Sequence, residues 1–229
     1  MKKKRITAAL LALGLSAVTI YSQLPVFAAE ETAQATDTAA QPQTADPSVV
    51  TTNGIDGWPQ ASDISSTAAI VMETSTNTVL YSKNADQALY PASAVKVMTC
   101  LVALENSSLD DQVTMTATGV SGVTDGGANI SSQLDEVFTV EQCLYAIMVA
   151  SANDIALQVA EHVGGSVDAF VQTMNTRAQE LGCTNTVFTN PTGLPDENQH
   201  TTAHDMALIM EAAMANETFR TIAATTSYT

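Results

Sequence analysis

From Ser93 onward the apolar residues recur with a helical period, and the stripes are punctuated by helix caps. Val97, Met98, Leu101, Val102 and Leu104 predict a helix ending near Asn106. Thr139 and Gln142 have capping-box spacing ahead of the apolar run Cys143-Leu144-Tyr145-Ala146-Ile147-Met148. A short helix over Asp154 to His162 is stopped by Gly164-Gly165. Ser166 caps a helix whose face is Val167, Phe170, Val171, Met174, Ala178 and Leu181, with Gly182 at its end. Thr202 and Asp205 cap another, carrying Met206, Ile209, Met210 and Ala213; its methionines read as flexible core filling. Ahead of this block lie two β-rich runs, 67–73 and 78–82. They are joined by Thr74-Ser75-Thr76-Asn77 and predict a hairpin. The polar stretch 106–133 carries only weak strand signals. One hairpin followed by a block of helices therefore has to supply the core.

Upstream, the chain reads as two further segments. Lys2, Lys3, Lys4 and Arg5 form a positive n-region, Ile6 to Tyr21 is apolar, and Val26-Phe27-Ala28 offers a cleavage site. Residues 1–28 thus predict a secretory signal peptide. The alternative, an uncleaved anchor, needs about 20 apolar residues, and this run is shorter. Residues 29–62 are an acidic, Thr-, Ala-, Gln- and Pro-rich linker without period, expected to be disordered. Trp58 would pin it to a folded domain spanning 63–229. The 45% apolar content of the 229 residues excludes a wholly disordered chain. The formal charge is −16; without the four basic residues of the n-region, four remain against 24 acids, a net −20. That balance argues against nucleic acid and against electrostatic attachment to anionic membrane. Cys100, Cys143 and Cys183 permit at most one internal disulfide and are read as free structural residues. No His, Cys or carboxylate spacing suggests a zinc site, and no cofactor is expected.

Past the signal segment only Lys83 and Lys96 remain as lysines. Lys96 follows Ser93 by three residues, so at a helix start both side chains share a face. There the free backbone N–H groups and the dipole favour developing negative charge. A serine needs a nearby base to become nucleophilic, and a buried lysine can be one if its pKa falls. Taken alone, Ser-x-x-Lys is weak evidence, since an N-cap serine with a solvated lysine looks the same. Ser151-Ala152-Asn153 lies between two apolar helices, where a loop could turn polar side chains inward. Its bland reading is also a cap, Asn153 ahead of Asp154-Ile155-Ala156.

Together the two pieces are far more specific, because Ser-x-x-Lys followed by Ser-x-Asn recurs in serine β-lactamases and penicillin-binding proteins. The flanks narrow the choice. Tyr90-Pro91-Ala92-Ser93, Val97-Met98-Thr99, Val149-Ala150-Ser151-Ala152-Asn153-Asp154, Ala160-Glu161-His162-Val163-Gly164-Gly165, Asn190-Pro191-Thr192-Gly193-Leu194 and His200-Thr201-Thr202-Ala203 follow in family order. From about Trp58 to Thr229 the chain resembles the D-alanyl-D-alanine carboxypeptidases, the low-molecular-mass penicillin-binding proteins. The resemblance implies an α+β penicillin-binding protein/β-lactamase-like fold, an antiparallel sheet with a helical block. It implies Ser93 as acylated nucleophile, Lys96 as its base, Ser151 as proton relay and Asn153 as the group binding substrate peptide. It further implies an exported, extracytoplasmic protein at the cell wall or the outer face of the cytoplasmic membrane, acting on peptidoglycan stem peptides ending in D-Ala-D-Ala and acylated by β-lactam antibiotics. Asn190 to Leu194 and His200 read as structural, and His162 and His204 as surface or satisfied helix residues. Two departures stand out. Ala94 and Val95 replace the family's usual threonines, and no lysine follows Lys96, so the Lys-Thr-Gly strand expected beyond Tyr228 is missing. The expected fold is therefore incomplete and its activity impaired. The competing readings are a β-lactamase and a non-catalytic, truncated wall-associated protein.

Overall fold

The computed structural model describes residues 6–7, 64–123 and 127–228. The signal and linker expectations, Trp58 included, lie outside the described residues apart from Ile6–Thr7. The central element is helix α1, Val95–Asn106, in which every residue from Val95 to Ala103 is buried. A helix apolar on all sides must be enclosed on all sides. Here α3 (Val140–Ala150), α4 (Asn153–Gly164), α5 (Val167–Glu180), α6 (Ala203–Ala215) and α7 (Glu217–Ala223) all pack against it. Phe170, Phe188, Phe219, Met98, Leu144 and Met174 fill the space between them.

The expected caps form. The Thr139 side chain accepts from the Gln142 amide while Gln142 reaches back to the Thr139 amide. Ser166 accepts from the Ala169 amide, Thr202 from the Asp205 amide, and Gly165 closes α4 in the left-handed region. Two helices were not anticipated: α2, Ala117–Ser121, and α7. Both are too short to display a period. Asn216 ends α6 and caps α7 through its side chain, so the two pattern as one longer apolar run.

Among the described residues the strands form three separate antiparallel ladders rather than one sheet. Strand β1 (Ile6–Thr7) pairs with β6 (Ser227–Tyr228), β2 (Ala69–Glu73) with β3 (Thr78–Lys83), and β4 (Gln112–Thr114) with β5 (Val137–Thr139). The expected hairpin is β2–β3, with a register shift between Val71 and Met72. Its buried residues, Ile70 and Val79, join Ala85 and pack against Ala203 and Ala207 of α6. Isolated bridges join Leu89 to Thr201 and Val187 to His200. The first ties the segment entering the Ser93 turn to the entry of α6, and the second ties the chain after α5 to the same entry. Cys100, Cys143 and Cys183 are all free and buried. No described helix is long and apolar enough to cross a membrane.

Candidate active site

Ser93 lies in a tight 3-10 turn, Ala92–Ala94, immediately before α1. Ala92 has a positive φ of 47°, rare for a residue with a side chain. The next turn of chain places Lys96 inside the helical block, only 2% exposed. Its Nζ donates to Ser93 Oγ at 3.3 Å and to the Thr192 carbonyl at 2.5 Å. Burial pulls the lysine pKa down from 10.5 to about 8, with Cys100 opposing part of the shift. At pH 7 the neutral amine is then roughly one molecule in ten, against roughly one in three thousand for an ordinary lysine. A buried amine with an accessible neutral form, within contact of a hydroxyl, is equipped to take its proton.

Ser151 approaches Ser93 from the other side. It caps α3 in the left-handed region, φ 52° and ψ 35°, where the chain turns sharply into α4. The turn brings Ser151 Oγ to 3.1 Å from Ser93 Oγ, to which it donates. Such a conformation costs roughly 1–3 kcal/mol and persists where the surroundings enforce it. The Ser93 oxygen is thus held between the Lys96 amine and the hydroxyl of Ser151, 58 residues further along the chain than Ser93.

Asn153 departs from its bland reading. Ala152 is the cap of α4 and makes no side-chain cap bond, while Asn153 stands in the first turn. Its backbone N–H donates to the Ala128 carbonyl at 2.8 Å. Its side chain is 4% exposed, and among the described residues its Oδ1 has no hydrogen-bond partner. A buried acceptor left unpaired costs about 1–3 kcal/mol, so the position calls for an incoming donor. Gly127 leaves room for this amide, since a Cβ there would sit 2.3 Å from Asn153 Nδ2. Asp154, next in sequence, fastens the same loop by accepting from the Ile130 amide and from the Ser132 amide and hydroxyl.

The histidines stay away from this cluster. His162 is exposed, His204 Nδ1 lies 3.1 Å from Asp86 Oδ1, and His200 Nδ1 is 2.9 Å from the Asn198 carbonyl. The Asn190–Leu194 turn, read from sequence as structural, reaches the cluster directly through its Thr192 carbonyl. No local pattern signals that contact, because Lys96 and Thr192 are 96 residues apart.

The D-alanyl-D-alanine carboxypeptidase family model matches residues 56–229. The chain belongs to that family. It is 37% identical over 155 residues to the Bacillus subtilis D-alanyl-D-alanine carboxypeptidase DacF, an alignment covering 66% of this chain and 39% of that protein. It is 36% identical over 160 residues to the Mycobacterium tuberculosis carboxypeptidase DacB2, covering 68% and 53%. Among solved structures, a D-alanyl-D-alanine carboxypeptidase from M. tuberculosis superposes with a TM-score of 0.69 at 32% identity, covering 74% of this chain and 64% of that one. Penicillin binding protein 5 from Haemophilus influenzae gives 0.65 at 32% identity, covering 69% and 47%. The chain therefore spans about two fifths to two thirds of the length of these relatives, and it has the α+β penicillin-binding protein fold.

Proposed function

We propose that this chain carries the active site of a serine-type D-Ala-D-Ala carboxypeptidase, with Ser93 as nucleophile. The observation that carries the reading is Ser93 Oγ lying 3.3 Å from Lys96 Nζ and 3.1 Å from Ser151 Oγ. Neutral Lys96 takes the Ser93 hydroxyl proton as the oxygen attacks the carbonyl carbon of the penultimate D-alanine. The C–N bond to the terminal D-alanine breaks, and Ser151 relays the proton from Lys96 to the departing amine. Asn153 Oδ1, buried and without a partner among the described residues, accepts from a substrate backbone N–H. Water then attacks the Ser93 ester, giving the shortened stem peptide and a free serine. The four roles rest on side-chain chemistry, contact and family membership together. A β-lactam would enter the same path, its ring amide opening onto Ser93. Export under an N-terminal signal over residues 1–28, followed by the 29–62 linker, fits action on peptidoglycan outside the cytoplasm.

The test is labelling with a fluorescent penicillin, followed by digestion and mass mapping of the adduct, beside D-alanine release from a pentapeptide ending in D-Ala-D-Ala. An adduct on Ser93 that disappears in Ser93→Ala supports the proposal. An adduct on Ser151, or labelling unchanged in Ser93→Ala, overturns it. Rapid turnover of the penicillin without D-alanine release would favour a β-lactamase.

A further inference from the structure

The Ser93–Lys96 pair is braced from outside its own helix by the turn Asn190–Leu194. Two successive carbonyls of that turn grip one face of α1. The Pro191 carbonyl accepts from Thr99 Oγ1 at 2.7 Å, and the Thr192 carbonyl accepts from Lys96 Nζ at 2.5 Å. Pro191 and Thr192 are themselves buried, so water does not replace either contact. The third member, Gly193, has φ +82° and lies against the nucleophile turn; a Cβ there would sit 1.9 Å from the Ala92 carbonyl oxygen and 2.9 Å from the Ser93 nitrogen. One side chain shapes all three. Asn190 Oδ1 accepts from the Thr192 amide at 3.2 Å, the Thr192 hydroxyl at 2.8 Å and the Gly193 amide at 2.8 Å. Asn190 Nδ2 donates to the Leu194 carbonyl at 3.1 Å, closing the turn. Buried Gln199 holds the entry, its Oε1 accepting from the Thr189 and Asn190 amides.

We propose that Asn190 is a positioning residue for acylation, setting the Lys96 amine against Ser93 through the Thr192 carbonyl and the Gly193 backbone. It rests on the reading of Ser93 and Lys96 as nucleophile and base. The chemistry is specific to this residue type. A short side chain with an acceptor oxygen can fold back onto amides two and three residues ahead, and serine or threonine does so more weakly. Alanine cannot, so the two carbonyls would lose their fixed direction while the rest of the fold keeps its core. Displacement of a reacting group by about 1 Å can cost roughly a hundredfold in rate. The same turn also seals the lysine. Loosening it admits water to an amine whose pKa is depressed chiefly by burial.

The experiment compares the full chain with N190A and N190S by two readouts. The first is a carbon-13 NMR titration of lysine-labelled protein, with the Lys96 signal assigned from its loss in K96A; it needs no activity. The wild type is expected to titrate near 8, N190A at least about one unit higher, and N190S between them, because its hydroxyl restores part of the turn. The second is the pH profile of penicillin acylation at Ser93, where N190A is expected to slow the acylation step by about tenfold or more with little change in the concentration giving half-saturation. A thermal melt confirms that each variant is folded, and N190S carries the comparison if N190A does not melt cooperatively. An unchanged Lys96 titration in a folded variant overturns the assignment of Asn190. If the wild type does not label at Ser93, the proposed function falls instead, and the amine titration still decides the role of Asn190.

Discussion

The helical block and the β2–β3 hairpin differ sharply in how they are held. Around α1 the block buries side chains from six helices and their loops, including three phenylalanines each no more than 1% exposed. The hairpin buries Ile70 and Val79, adds Ala85 just after β3, and leans on two alanines of α6. A two-stranded hairpin is marginal alone, so this one borrows its stability from the helix beneath it. Every residue of the candidate site comes from the block: Ser93 and Lys96 at the head of α1, Ser151 and Asn153 at the α3–α4 turn. The site thus sits in the buried helical block, and α1 carries both core residues and part of the candidate site. The buried lysine is accommodated there by its bonds to Ser93 Oγ and the Thr192 carbonyl and by a lowered pKa.

The largest expected difference between the two regions is in acylation. Removing the amine in Lys96→Ala should slow penicillin labelling of Ser93 by about 10²–10⁴-fold, the usual worth of a positioned base. Lys83, in β3 of the hairpin, donates to the Ile64 carbonyl at 2.5 Å. Lys83→Ala should leave the labelling rate within about twofold. Comparable losses in both variants would mean that the hairpin is part of the site. If Lys96 is the base, as proposed, its pKa near 8 means that the wild-type rate should rise with pH and level off above that value.

Core truncation should separate the regions next. Phe170 is fully buried and packs against Gly164, so Phe170→Ala should destabilise the fold by about 3–5 kcal/mol. Ile70 belongs to the three-residue cluster, and Ile70→Ala should fall near the lower end of its class, about 2 kcal/mol, because the thinly packed site can collapse. Urea unfolding measures both. Equal losses would show that the hairpin is as integral to the cooperative unit as α5.

The block should also show the cost of its chemistry as a pH dependence. Lys96 has a folded pKa of about 8 against an ordinary 10.5, so the unfolded chain holds the proton more tightly. Below pH 8 the folded state therefore carries the whole penalty of a buried charge. The penalty fades as pH rises from 8 to 10.5, because there the unfolded state binds more protons than the folded one. Lys96→Met, similar in volume and uncharged, should be more stable than wild type by about 3 kcal/mol near pH 7, less whatever the orphaned Thr192 carbonyl costs. The advantage should shrink toward pH 10.5. A difference independent of pH would contradict the burial of a titrating amine.

What could be read from sequence follows the same division between local and distant. The caps at Thr139, Ser166 and Thr202 and the stops at Gly164-Gly165 and Gly182 depend on neighbours a few residues away, and their helices appear where expected. The two motifs were legible as residue types, and their contact through Ser93 Oγ follows once α3 and α1 pack. The tripeptide left two readings of Asn153 open. The structure removes the cap reading, because the left-handed Ser151 precedes a cap at Ala152 and Asn153 stands in the first turn of α4. The Asn190 turn was misjudged in consequence rather than in kind. It is structural, as its sequence suggests, but the structure it supports is the lysine's environment, and nothing within a few residues of either partner encodes a contact 96 residues long.

The smallest expected effect lies in the hairpin, and its sign is opposite to that of Lys96. Glu73 ends β2 and folds over the turn, accepting from the Thr76 hydroxyl at 2.6 Å, the Ser75 amide at 3.0 Å and the Ser75 hydroxyl at 3.0 Å. These bonds, led by that from Thr76, hold its carboxyl down from 4.5 to about 2. Stability linked to a depressed carboxylate is present above pH 4.5 and is lost as pH falls through 2. Acid should therefore loosen the turn while leaving the buried face of α1 untouched, since among the described residues no carboxylate bonds to that face; Glu105, which pairs with Arg177, lies on the exposed side of the helix. Because Glu73 is exposed, solvent screens the interaction and the global melt should barely move. The effect belongs in the amide chemical shifts of Ser75 and Thr76, which should titrate together below pH 4 and stop doing so in Glu73→Gln. If that substitution also shifts amides in α1, the hairpin is coupled to the block more tightly than Ala203 and Ala207 alone can explain.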